Sequence, residues 1–225
     1  MAGAVAVSIT LTFQTPPSVA GAGAVATLAD RVVLRNAAGQ FIIPGSHLKG
    51  KLRHACEQLI ASVSPSAVCG SPRAETMCPN PPGSPALCPI CRIFGSPARR
   101  SALVFSDLVC QPDANAAVLH NPAASLRAMT GMNRRRGTVA DQRLFLVETA
   151  PWLPGLPFSN GSAISGKLDS VAQVRLLLAG LKLLPAWGGM KSRGLGWASV
   201  EATATWEGTP LAPADWQEVM QQWMV

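Results

Sequence analysis

Four cysteines, Cys69, Cys78, Cys88 and Cys91, are spaced C-x8-C-x9-C-x2-C in a stretch that offers little else. Residues 64–97 hold eight prolines and several Gly and Ser with almost no hydrophobic periodicity. Such a segment cannot bury a core of its own and needs another staple. Cys88-Pro89-Ile90-Cys91 has the form of a zinc knuckle, and four thiolates around Zn2+ would supply the missing stability. A full set of four Cys ligands leaves no open position, so the metal is expected to be structural. The competing reading is a set of free thiols or a redox CxxC. A thioredoxin-type CxxC opens a helix after a strand, and the prolines ahead of Cys88 argue against that. Cys56 and Cys110 fall in helix and strand patterns and read as core.

Two basic segments carry a different chemistry. In Ile43-Pro44-Gly45-Ser46-His47-Leu48-Lys49-Gly50-Lys51-Leu52-Arg53 a Pro-Gly turn leads into a helix with Ser46 as its expected N-cap. Free N–H groups and the dipole at a helix N-terminus attract phosphate, and Lys49, Lys51 and Arg53 add charge beside Ser46 and His47. The alternative is an ordinary capped helix with a solvated basic face. In Gly188-Gly189-Met190-Lys191-Ser192-Arg193-Gly194-Leu195-Gly196 the glycines let a backbone approach a ligand closely, while Lys191, Ser192 and Arg193 offer charge and a hydroxyl. This loop opens a strand rather than a helix, so it is neither a Walker A loop nor a dinucleotide fingerprint. A third basic run holds Arg127, Arg134, Arg135, Arg136 and Arg143, with Asn133 and Thr138 among them. Arginine makes bidentate phosphate contacts and stacks on bases. Few aromatics interleave with it, which disfavours a stacking platform.

Taken together, the Ile-Pro-Gly-Ser-x-Leu-Lys-Gly-Lys-Leu-Arg and Gly-Gly-x-x-Ser-Arg-Gly-Leu-Gly segments resemble the RAMP superfamily of CRISPR-associated proteins. Arg92-Ile93-Phe94-Gly95-Ser96 looks like that family's Leu-Phe-Gly element. The resemblance spans residues 5–206 and is nearest to the repeated backbone subunit of type III effector complexes. It implies a modified RNA-recognition fold that binds CRISPR guide RNA and target RNA, and assembles with copies of itself and with other effector subunits. It also implies that the basic region 113–142 is a β-hairpin thumb. In cleaving relatives an Asp in a loop ahead of the Ile-Pro-Gly-Ser element cuts target RNA, and Asp30 occupies a similar place here. One carboxylate beside a kinked phosphodiester would hold Mg2+ or another divalent ion only with help from RNA oxygens. The plain alternative is a solvated loop Asp beside Arg31. Two other roles stay open: a non-cleaving scaffold, and a stand-alone CRISPR RNA-processing endonuclease. The latter calls for a histidine-based site near the Gly-rich loop, and the positions of His47, His54 and His120 in the sequence reveal none.

The elements that must position these groups follow from periodicity. Residues 4–13 alternate as a strand, with a short strand expected at 31–34 and another at 102–109. Leu48, Leu52, Cys56, Leu59 and Ile60 mark a helix to about residue 62. Residues 143–149 and 195–206 read as strands. A helix is expected at 170–184, and a last one at 213–223 packing through Trp216, Met220 and Trp223. The order strand, helix, strand, strand, helix, strand predicts an α+β, ferredoxin-like single domain over 1–225, with a Cys/Pro-rich insertion at 64–97 and a basic one at 113–142.

Composition agrees. The chain is 48% hydrophobic and only 14% charged, yet its net charge is +7. Basic groups in excess where charge is scarce point to a polyanion. No apolar run is long enough for a membrane span, no secretory leader is visible, and a reduced, cytoplasmic location is the default expectation.

Overall fold

The computed structural model describes residues 2–21, 29–79, 86–111, 124–150, 157–212, 219, 221 and 223. Strand β1 (Gly3–Phe13) buries alternate residues, as its period-2 pattern demands, placing Val5, Val7, Ile9, Leu11 and Phe13 in the core. A two-residue strand β2 (Ile42–Ile43) leads into α1 (Gly45–Val63), which buries Leu48, Leu52, Cys56, Leu59 and Ile60 along one stripe. The short helix α2 (Pro89–Phe94) precedes β3 (Leu103–Phe105) and β4 (Leu108–Cys110). A separate two-stranded hairpin follows, β5 (Ser125–Asn133) with β6 (Thr138–Thr149). The chain re-enters the main sheet as β7 (Pro157–Leu168), continues through α3 (Val171–Lys182) and closes with β8 (Ala198–Trp206) and β9 (Thr209–Pro210).

The main sheet runs β2-β4-β7-β1-β8-β9, with β3 also on β7, and its ladders are antiparallel. Merging β3 and β4 into one bent strand, the core reads βαββαβ with spatial order 4-1-3-2, the ferredoxin-like plan. Helices α1 and α3 pack closely: a Cβ on Gly180 would lie 2.8 Å from Cys56 Sγ. Complete burial of Leu48, Leu52, Leu176, Leu177 and Leu181 in this layer stabilises the fold by about 1.5–3 kcal/mol per side chain.

Several sequence expectations need correction. The strand at 102–109 is broken by Ser106 and Asp107, because Asp107 is used elsewhere: its Oδ1 accepts the Gly45 N–H at 2.8 Å. The N-cap of α1 is Pro44, not Ser46. Residues 143–149 belong to the hairpin rather than the main sheet, and the strand that fills their expected place is β7. Residues 31–34 form no strand, only isolated bridges from Arg31 to Val147 and from Val33 to Ala20. Segment 64–97 does contribute to the core, burying Ile90, Cys91, Ile93 and Phe94 from α2. Of the helix expected at 213–223, Trp216 and Met220 lie outside the described residues, as does His120; Val219 is buried and Trp223 packs against the core.

Candidate nucleic-acid interface and metal centre

The basic residues of α1 divide between two flanks. Successive helical residues rotate by about 100°, so Lys49 and Lys51 point in nearly opposite directions, while His47 joins Lys51 and Lys49 joins Arg53. The His47–Lys51 flank meets the Gly-rich loop. His47 Nε2 accepts the Gly188 N–H at 3.3 Å, and Lys51 Nζ lies 5.7 Å from the ring of the fully buried Trp187. Burial, followed by the charges of Lys51 and Lys191, holds His47 down to about 4, so it is neutral at physiological pH. Burial and the neighbouring Lys191 lower Lys51 to about 8. Two ammonium groups are thus crowded together, neither of them in an ion pair among the described residues, a natural seat for a phosphate. The fold also places a histidine at the Gly-rich loop after all, a juxtaposition invisible in the sequence because residues 47 and 188 are far apart along the chain.

Backbone sterics shape that loop. Gly196 has φ +76°, and a Cβ there would run into the Trp187 carbonyl, while the Trp187 N–H donates to Gly196 O at 2.7 Å. Lys191–Arg193 form a single 3-10 turn that presents Ser192 to solvent. Arg193 crosses to the hairpin: its guanidinium lies 5.3 Å from the Phe145 ring, and Nη1 is 3.3 Å from Met129 Sδ.

The hairpin base also receives Asp30. Asp30 Oδ2 accepts the Leu146 N–H at 2.7 Å, and the Asp30 and Arg31 amides donate to Leu146 O. The carboxylate stays exposed to solvent. Glu148, two residues further along β6, accepts the Val33 N–H at 2.8 Å and stands 3.9 Å from Arg35. Two carboxylates therefore tie the loop bearing Asp30 to β6.

At the hairpin tip Asn133 Oδ1 accepts the amides of Arg135 and Arg136, an Asx turn that throws Arg134, Arg135 and Arg136 into solvent. Thr138 begins β6 and Arg127 sits exposed on β5. Ser46 is exposed at the start of α1, but the first amide of that helix is already taken by Asp107, so its N-terminus is a weaker anion site than the sequence implies.

The four cysteines converge. Their sulfurs all lie within 4.8 Å of one another, with Cys69 and Cys91 at 3.6 Å. Tetrahedral coordination at a Zn–S distance of ~2.3 Å separates sulfurs by ~3.8 Å, so the quartet fits a metal of that size. The Cys88 N–H points to Cys78 Sγ at 3.3 Å and the Cys91 N–H to Cys88 Sγ at 3.4 Å, the amide-to-sulfur bonds that suit thiolates. Hydrogen bonding from Cys91 pulls Cys88 down to about 4, while the same bond pushes Cys91 up. Arg53 faces this cluster rather than solvent. Its Nη2 is 3.5 Å from Cys91 Sγ, Nη1 donates to the Gly95 carbonyl at 3.0 Å, and Nε pairs with Glu57 at 2.8 Å. A cation there offsets the excess negative charge of four thiolates around a divalent ion.

The site is thus built on an antiparallel βαββαβ core, with a basic glycine loop set against its first helix. The family model of the RAMP superfamily matches residues 10–199. The chain belongs to that superfamily and is a CRISPR-associated RNA-binding protein. No curated protein matches it. Among the described residues, no helix is long and apolar enough to cross a membrane.

Proposed function

We propose that this chain is a guide-RNA-binding backbone subunit of a CRISPR ribonucleoprotein effector complex, working in the cytoplasm alongside copies of itself and other effector subunits. The observation that carries the proposal is a single continuous junction. The His47–Lys51 flank of α1 touches the Gly-rich loop, Arg193 of that loop touches the hairpin, and the base of the hairpin holds Asp30. A strand of RNA laid along it would meet Lys51 and Lys191 first, then Arg193, then an exposed carboxylate.

In this reading Asp30 helps cleave target RNA, with Mg2+ or another divalent ion completed by RNA oxygens. Arg127 and Arg134–Arg136 hold the phosphates displaced around the hairpin, and the cysteine quartet carries a structural Zn2+ that pins α2 and its Arg53 partner. Guide pairing supplies sequence specificity, so the protein needs only backbone and shape contacts. A processing endonuclease would use a histidine that can gain and lose a proton near neutrality. His47 is at the right loop, but it is half-buried, neutral and already accepting the Gly188 amide, which favours an anchoring role. Sequencing the nucleic acid that co-purifies from native cells tests the proposal. CRISPR-derived RNA of graded lengths is expected; RNA unrelated to any repeat would overturn the backbone assignment.

A further inference from the structure

The second flank of α1 faces a cleft that the junction above does not use. It has a volume of about 500 Å3 and is lined by Lys49 and Arg53 from α1, by Phe94 to Pro97, and by Arg99, Arg100, Ser101 and Leu103. Four of these residues are basic and none is acidic. Arg53 is committed to Glu57 and Cys91. Lys49, Arg99 and Arg100 have no ion pair among the described residues. Three uncompensated cations converging on one concavity repel one another and gain by sharing an anion.

The wall opposite α1 is a tight turn. The Ser96 and Arg99 backbones exchange hydrogen bonds at 2.8 and 3.1 Å, which fixes Arg99 and Arg100 at the cleft mouth as the chain turns back into β3. Ser96 Oγ is shielded from solvent, so the groups this turn offers to the cleft are the exposed Arg99 and Arg100. Gly95, with φ +86°, lets the chain leave α2 at this angle, a conformation that residues with a side chain rarely adopt.

We infer that this cleft is a second phosphate-binding site, formed by Lys49, Arg99 and Arg100, which takes the backbone phosphates of an RNA strand after it leaves the Lys51–Lys191 junction. The inference rests on the RNA-binding reading above and extends it to the other side of α1. The cleft is open to solvent and far larger than one phosphate, which suits a polymer passing through rather than a captured small anion. Lys49 lines the cleft, with its Nζ 5.8 Å from the ring of Phe105.

The test compares the full chain with R99A/R100A and, separately, K191A/R193A, using a labelled single-stranded RNA and anisotropy titrations over a range of salt. Removing one phosphate contact lowers the slope of log Kobs against log salt by about 0.7 for a single strand. R99A/R100A is expected to reduce that slope by about 1.4, twice the single-site value, with an unchanged melting temperature because both side chains are exposed. An unchanged slope in R99A/R100A alongside a reduced one in K191A/R193A overturns the cleft and leaves the junction standing. A wild-type chain that binds no RNA overturns both.

Discussion

The carboxylate of Asp30 accepts the backbone amide of Leu146 at 2.7 Å, joining a loop ahead of α1 to the base of the hairpin. The same group is therefore both a tether and the proposed cleavage residue, and one substitution can separate the two. Asn keeps an oxygen that accepts the amide but carries no charge. Asp30→Asn is expected to abolish target-RNA cleavage in the assembled complex while melting temperature and RNA affinity stay at wild-type values. Cleavage that survives in this variant would remove the carboxylate from the chemistry.

Metal content is the most direct check on the cysteine quartet. One zinc per chain is expected by elemental analysis, with Co2+ exchange giving the spectrum of a tetrahedral tetrathiolate. Cys88→Ser or chelation should lower stability by about 3 kcal/mol, roughly 6–12 °C in melting temperature for a chain of this size. Because the ligands are thiolates, acidification should release the metal. A metal-free preparation with unchanged melting would exclude the structural role.

Lys51 predicts how RNA affinity depends on pH. With its ammonium lowered to about 8 by burial and Lys191, the free chain loses this charge between about pH 7 and 9. RNA phosphate favours the protonated form, so affinity should fall by up to roughly tenfold over that range. Lys51→Arg should flatten the profile. The stability effect has the opposite sense: between about 8 and the ordinary lysine value the unfolded chain binds more protons, so folding gains as pH rises. For His47, held to about 4 by burial, stability is complete above its ordinary value of 6.5 and is lost as pH falls toward 4. A wild-type affinity that does not change from about pH 7 to 9 would contradict the environment assigned to Lys51.

At the hairpin tip, Ala at Arg134, Arg135 and Arg136 together should reduce the salt slope of RNA binding by about 2, three contacts at about 0.7 each. The fold should be untouched, since these side chains are exposed. An unaltered slope would mean that the tip meets no phosphate.

Gly196→Ala tests the loop geometry. A methyl group there meets the Trp187 carbonyl at a φ of +76°, and a destabilisation of about 1–3 kcal/mol is expected in a denaturant titration. A neutral result would show that the loop can relax while keeping its bond to His47.

What was legible in the sequence is what local patterning controls. The alternation of β1 and the stripes of α1 and α3 are set by burial on one face and appear where expected. The cysteine quartet was legible because thiol spacing is chemically specific. Strand β7 was not: Asn160, Gly161, Ser162 and Gly166 look like turn residues, yet Asn160 pairs with Ile9 and Gly166 with both Val5 and Leu103, while Gly161 and Ser162 fall at a register shift against β1. The split of Lys49 from Lys51 follows from helical rotation, but the partners of each flank do not. Nothing in the spacing of Arg99 and Arg100 anticipates that a turn at Ser96 brings them into one cleft with Lys49 of α1.

Strand β1 is paired on both sides by strands made much later, Gly3 opposite Leu168 on β7 and Val5 opposite Trp206 on β8. During synthesis it therefore waits a long time for either neighbour. Until β7 and β8 emerge, two bare strand edges of alternating Val, Ile and Leu stay open, which is a hazard for aggregation. The proposed RNA-binding junction shares that delay, because its Gly-rich loop sits immediately before β8. A nascent chain that stops short of this loop lacks Lys191 and Arg193 and cannot complete the junction, although the arginines of the cleft and of the hairpin are already made.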